Sequence, residues 1–159
     1  MGRNGTGYPL NYSATLIDDD AGIRELLDRT RRIAVLGIKP ESHLDRPAFF
    51  VPAYMAEAGY EIVPVPVYYP DVTAILGQPV YRTLEAIPGP VDMVDVFRRP
   101  EHILPHLPDL LAKRPNVVWF QSGIRHDQVA RELLKAGINV VQDRCLLAEH
   151  RRLGVGGAR

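Results

Sequence analysis

Four consecutive apolar residues, Ile33 to Leu36, end at Gly37, and a segment with helical spacing opens soon after at Asp45-Arg46-Pro47. The apolar run is too short for a helix and reads as a buried strand. A buried strand, a glycine turn and a helix starting at a proline make the kind of βα unit that receives a nucleotide. The first N–H groups of a helix have no internal partner, and the aligned peptide dipoles place partial positive charge there, so a phosphate is stabilised. Gly37 has no Cβ to hold an anion away from the main chain, and Lys39 adds a mobile cation. The corner is read as a phosphate cradle.

The rest of the chain repeats the strand–helix alternation. Asp18-Asp19-Asp20 offers N-caps for a short helix from about Asp20 to Thr30, with Ile23, Leu26 and Leu27 on one face. After the cradle, Phe49, Phe50, Ala53, Tyr54 and Ala56 form a helix that Gly59 stops; Pro52 inside it implies a kink or a later start. Strands are expected at 61–65, 92–97, 116–120 and 139–143, and a very short one at Val80-Tyr81. Between them lie a proline-rich stiff loop at 64–70, helical turns at 71–77 and 83–87, an irregular helix at 101–113 and a clean helix at 126–136 closed by Gly137. Helix-length crossovers join parallel strands, which gives a three-layer, doubly wound, mostly parallel α/β sheet in a single domain. Residues 1–17 are expected to be a flexible segment and 18–153 the domain; a basic tail is expected after Arg144-Cys145, flexible at 154–159. Ligands of such sheets sit beyond the carboxyl ends of the strands.

Composition excludes several classes. Lys plus Arg and Asp plus Glu both number 19, so the chain has no electrostatic footprint for nucleic acid. No apolar stretch approaches a bilayer span, and Met1 to Asn11 has no apolar h-region, so neither a membrane segment nor a signal peptide is expected. The single cysteine, Cys145, cannot form an internal disulfide and fits a reducing cytoplasm.

An NAD site asks for G-x-G-x-x-G and an acidic residue after the second strand. Here the turn supplies only Gly37, and the strand ends in Val65-Pro66-Val67. A carboxylate in that place would repel an adenosine carrying a 3′-phosphate, so its absence favours a different dinucleotide-like ligand. No P-loop signature is present.

Five segments in order carry a resemblance. They are 33–40 (Ile-Ala-Val-Leu-Gly-Ile-Lys-Pro) with Arg46-Pro47; Gly59-Tyr60 with Pro64-Val65; 91–99 (Val-Asp-Met-Val-Asp-Val-Phe-Arg-Arg); 118–125 (Val-Trp-Phe-Gln-Ser-Gly-Ile-Arg); and Asp143-Arg144-Cys145. Together they resemble the small stand-alone CoA-binding domain proteins, related in turn to the CoA-binding half of the succinyl-CoA synthetase alpha subunit. The resemblance implies a Rossmann-like domain that holds CoA or an acyl-CoA without chemistry of its own. It implies that Gly37, Ile38, Lys39 and Pro40 contact phosphate and that Val65 and Pro66 flank the adenosine. Val96, Phe97 and Arg98 would line the middle of the cleft, and Gln121, Gly123 and Ile124 would face the pantetheine. The loop 65–70 departs from the family pattern, so Tyr68 or Tyr69 either stacks on a base or blocks it. The synthetase's phosphorylated histidine has no counterpart, so ligase chemistry is not expected. A homodimer or an unidentified protein partner is compatible with this reading.

Single residues keep competing readings. Arg46 either contacts phosphate or only begins a helix. Arg98 and Arg99 either grip a diphosphate or pair with a carboxylate such as Asp92 or Asp95. Cys145 is a small buried residue or, in the alternative of an acyl-CoA processing enzyme, a nucleophile; an NAD(P)-dependent oxidoreductase is the other alternative. His102 and His106 stand four apart, but with Pro105 between them and no third ligand evident they read as a solvated helix face rather than a metal site. His126 reads as a surface residue and Trp119 as core. No catalytic triad or carboxylate pair can be assembled.

Overall fold

The computed structural model describes residues 14–153. In chain order the elements are α1 (Asp20–Arg29), β1 (Arg32–Leu36), α2 (Pro47–Glu57), β2 (Glu61–Val65), β3 (Ala74–Ile75), β4 (Gln78–Pro79), β5 (Met93–Val96), α3 (Leu107–Lys113), β6 (Val117–Phe120), α4 (Asp127–Lys135), β7 (Asn139–Val141) and α5 (Leu146–Leu153). Short 3-10 turns at Glu41–His43, Pro100–His102 and Leu104–His106 complete the set.

Five strands form a parallel sheet in the order β2-β1-β5-β6-β7. The strand order reverses between β1 and β5, which places a crevice outside their carboxyl ends. Side chains alternate between the two faces, as the period of a strand requires. Ile33, Val35, Met93, Val117 and Trp119 join the core under α1, α2 and α5. Ala34, Leu36, Val94, Val96, Val118 and Phe120 join the core under α3 and α4. This is the expected three-layer, Rossmann-like α/β fold.

Both sheet edges are covered. Ile17 N–H donates to Val140 O and Val140 N–H to Thr15 O along β7, and Tyr81 N–H donates to Pro64 O beside β2. Pro64 is tolerated because β2 is an edge strand. Residues 15–17 of the expected flexible segment are therefore part of the domain; residues 1–13 and the tail 154–159 lie outside the described residues.

Three expectations change. The segment 71–77 is not a helical turn but contributes β3 to an antiparallel β3–β4 hairpin, whose connecting Leu76 and Gly77 both adopt positive φ. The short strand beside it is Gln78–Pro79 rather than Val80-Tyr81. The residues after Cys145 are not a tail: Leu146, His150 and Leu153, one per turn, are buried on one face of α5.

Pro52 does not delay the start of α2, which opens at Pro47 and runs through it. A residue at 52 would normally donate its N–H to the carbonyl of Ala48. With proline there, Ala48 O is open to a donor from outside and accepts Lys39 N–H at 3.1 Å. The proline thus ties the βα corner to the first turn of its helix.

Candidate functional site

The corner after β1 is pinned on both sides. Gly37 N–H donates to Val65 O (2.9 Å) and Phe97 N–H to Leu36 O (2.8 Å). Gly37 has φ 91°, which only glycine adopts without strain, and its missing Cβ makes room for the Phe97 carbonyl. The main-chain donors differ from expectation. Gly37 and Lys39 both donate within the fold, whereas Ile38 N–H and, on the first turn of α2, Ala48 N–H make no hydrogen bond to the described residues. Pro47 has no N–H, and the N-cap residue Arg46 makes no side-chain cap. Of the two, Ala48 lines the cavity that opens at this helix terminus, where its amide is free to meet an anion.

Two cavities flank the corner. One, of about 540 Å³, opens between the start of α2, the exit of β5 and the loop after β6; Lys39, Arg46, Phe97, Arg98, Arg99, Gln121, Gly123, Ile124 and Cys145 line it. The other, of about 550 Å³, lies beyond the ends of β1 and β2, lined by Leu36, Pro66, Val67, Arg82, Glu85, His106 and Asp109 among others. Arg98 stands between them. Its Nε donates to His106 Nε2 at 3.1 Å, its Nη1 lies 3.4 Å from the Tyr68 hydroxyl, and its guanidinium sits 5.6 Å from the Tyr68 ring centre. The Arg98 hydrogen bond and charge hold the Tyr68 hydroxyl below its ordinary pKa. Burial, followed by the Arg98 charge, lowers the pKa of His106, so the ring is neutral near pH 7.

Several expectations are corrected by this geometry. Arg98 does not pair with Asp92 or Asp95. The Asp92 carboxylate accepts Arg31 and Arg32 N–H (both 2.9 Å), and Asp95 is fully buried with neither oxygen hydrogen-bonded. His106 is half-buried against Arg98 rather than on a solvated helix face. His126 caps α4, its Nδ1 accepting Val129 N–H at 3.2 Å. Trp119 is core, as read.

The expected contact residues divide into two groups. Lys39, Arg46, Phe97, Arg98, Gln121, Gly123 and Ile124 are brought together in the first cavity, and Pro66 lies in the second. Ile38, Pro40, Val65 and Val96 are buried, and the side chains of Val65 and Val96 belong to the core under α3 and α4. Tyr68 is exposed at the rim, and Tyr69 holds Lys39 Nζ through its hydroxyl at 3.2 Å. Glu85, Arg82 and Asp109 were missed. The signal was out of reach, because Asp109 reaches this place by accepting Leu84 and Glu85 N–H across 25 and 24 residues.

The wall formed by residues 121–125 is fixed from behind. Gln121 Oε1 accepts Leu146 N–H (3.0 Å), Asp143 Oδ1 accepts Gly123 N–H (2.6 Å), and Trp119 Nε1 donates to Arg144 O (2.7 Å). Among the described residues there is no group of three or more His, Cys, Asp or Glu that could hold a metal, and no helix long and apolar enough to cross a membrane.

A parallel sheet whose strand order reverses at β1/β5, with an uncapped helix N-terminus and clustered cations at that point, defines a small Rossmann-like domain. Residues 31–151 match the family model described as a CoA binding domain, and the chain belongs to that family. It is 35% identical to protein YneT of Bacillus subtilis (strain 168), covering 82% of this chain and 93% of that protein. Among solved structures it is similar to cell-free ID.343 of Thermus thermophilus (43% identity, TM-score 0.79, 86% and 99% of the two chains). A hypothetical protein of Pyrococcus horikoshii OT3 is also similar (32%, TM-score 0.77, 86% and 92%). The dinucleotide-forming acetyl-coenzyme A synthetase 1 of Ca. Korarchaeum cryptofilum shares the fold alone, at 16% identity and TM-score 0.59 over 26% of its length.

Proposed function

We propose that the protein binds CoA or an acyl-CoA as a holding module in the cytoplasm and carries out no reaction by itself. The observation that carries this reading is the pair of cavities on either side of the β1/β5 switch point, one of which gathers Lys39, Arg46, Arg98 and Arg99. The diphosphate takes the Ala48 amide with Lys39, Arg46, Arg98 and Arg99 around it. The adenosine lies beyond β2 against Pro66 and Val67. The pantetheine arm follows Phe97 and Ile124 toward Cys145, and the Gln121 amide offers it a polar contact. Family membership supports the choice of CoA over other dinucleotides.

Titration calorimetry of the full chain with CoA, acetyl-CoA, NAD and NADP tests this. Saturable heat with CoA or acetyl-CoA and little with the nicotinamide dinucleotides is the expected result. Binding of NAD with no response to CoA removes the proposal.

A further inference from the structure

The two cations at the exits of β1 and β5 are each held by a tyrosine. Lys39 Nζ lies 3.2 Å from the Tyr69 hydroxyl and 5.6 Å from the centre of its ring. Arg98 Nη1 lies 3.4 Å from the Tyr68 hydroxyl, with the same 5.6 Å between guanidinium and ring centre. The two tyrosine rings meet edge to face with centres 6.4 Å apart, and the Tyr69 ring meets the His43 ring edge-on at 5.3 Å. One short loop therefore sets where both cations stand. That loop has little of its own to fix it. Residues 66–73 belong to no helix or strand, and Tyr69 holds φ 66°, a left-handed conformation that disfavours any residue with a Cβ.

Arg82 supplies the missing restraint. Its Nη1 donates to Tyr68 O at 3.1 Å, and its Nη2 to the carbonyls of Tyr69, Pro70 and Val72 at 2.9, 3.4 and 2.8 Å. The chain just before it is anchored beside β2, where Tyr81 N–H donates to Pro64 O (3.0 Å) and Val80 N–H to Thr73 O (3.1 Å). The guanidinium keeps its charge; what the carbonyls use is its planar fork, which a lysine ammonium cannot reproduce. We infer that Arg82 is a positioning residue of the cation cluster: by clamping residues 68–72 it makes Tyr68 and Tyr69 hold Arg98 and Lys39 in place for the diphosphate. It lines the cavity beyond β2 and acts on the other cavity through the loop. This inference rests on the CoA reading above.

The Tyr68 hydroxyl is the reporter, because the Arg98 hydrogen bond and charge, with Arg99 and Lys39 nearby, hold it below its ordinary pKa. Its ionisation is followed by NMR of the full chain carrying isotope-labelled tyrosine, without ligand, the Tyr68 signal being assigned with Tyr68→Phe. CoA affinity is measured in parallel by calorimetry. Arg82→Lys keeps the charge but not the fork, and Arg82→Gln removes both. In both variants the Tyr68 pKa should rise toward its ordinary value of about 10, and CoA affinity should fall about five-fold. A clamp that serves only the loop's stability would lower the melting temperature of the variants and leave both readouts at the parent's values, which would overturn the inference. So would a Tyr68 shift with unchanged CoA affinity, or full recovery of both by Arg82→Lys. CoA binding that is undiminished in the variants leaves the CoA reading standing while this inference falls; a parent that binds no CoA removes both.

Discussion

A Cβ placed on Gly37 would run into the carbonyl oxygen of Phe97. The glycine after β1 is thus dictated by the neighbouring strand as well as by any phosphate. Gly37→Ala must either displace the Phe97 carbonyl or give up φ 91°, and both break the Gly37–Val65 and Phe97–Leu36 bonds that hold the corner. The expected loss is at least about 2 kcal/mol, measured by urea unfolding, with CoA affinity lost in parallel. Parent-like stability would show that β1 and β5 do not approach in this way.

Arg98 bridges the two cavities through His106 and Tyr68. Arg98→Ala should weaken CoA binding about ten-fold or more and reduce its salt dependence, with a small change in melting temperature. Arg98→Lys keeps the charge but not the planar fork, so it should recover only part of the affinity. Full recovery would mean that the fork is not used.

Pro52 offers a test of how the corner is tied to α2. Proline to alanine inside a helix usually stabilises by up to about 3 kcal/mol. Here the new N–H would compete with Lys39 N–H for Ala48 O. Pro52→Ala should therefore gain less than that and should bind CoA more weakly, which paired unfolding and calorimetry would reveal. A full gain with unchanged affinity would show that the Lys39–Ala48 bond plays no part in binding.

Asp95 predicts a pH dependence. Its side chain is 0% exposed between its β-ladder neighbours Val35 and Trp119, and burial pushes its pKa well above the usual carboxylate range. The folded protein keeps this proton to higher pH than the unfolded chain does. Its contribution to stability is complete below the ordinary value of about 4 and is lost as pH rises toward the folded value. Asp95→Asn does not titrate, so its melting temperature relative to the parent should climb between pH 4 and pH 9. A difference independent of pH would mean that the carboxyl titrates alike in both states.

Cys145 lines the cavity assigned to the pantetheine arm and is half-buried. CoA at about ten times its Kd should slow iodoacetamide alkylation of Cys145 about ten-fold. ADP, which has no such arm, should leave the rate unchanged. Equal rates with CoA and without it would place the arm elsewhere.

The five sheet strands were legible because each is a short, mostly apolar run bounded by glycine or polar residues, as at Ile33 to Gly37 and at Val117 to Phe120 between Asn116 and Gln121. The β3–β4 hairpin was not, since its strands have two residues each and its turn needs positive φ at a leucine. The buried stripe of α5 was hidden by His150-Arg151-Arg152, which reads as a charged tail unless Leu146, His150 and Leu153 are counted at helical spacing. For the site, strand ends located Lys39, Phe97, Arg98 and Gln121. They could not locate Glu85 and Asp109, which meet only through a capping contact between distant segments. Nor could they tell that Gly37 and Lys39 donate inward while Ile38 and Ala48 do not.

The contact between Gln121 Oε1 and Leu146 N–H fastens the exit of β6 to the first turn of α5. Because α5 also packs on α1 and α2, the last helix and the lining of the cavity make one mechanical unit. An occupant that stiffens Gln121 should then slow amide hydrogen exchange throughout residues 146–153, although none of those residues lines either cavity. The last helix becomes a remote gauge of whether the cleft is filled.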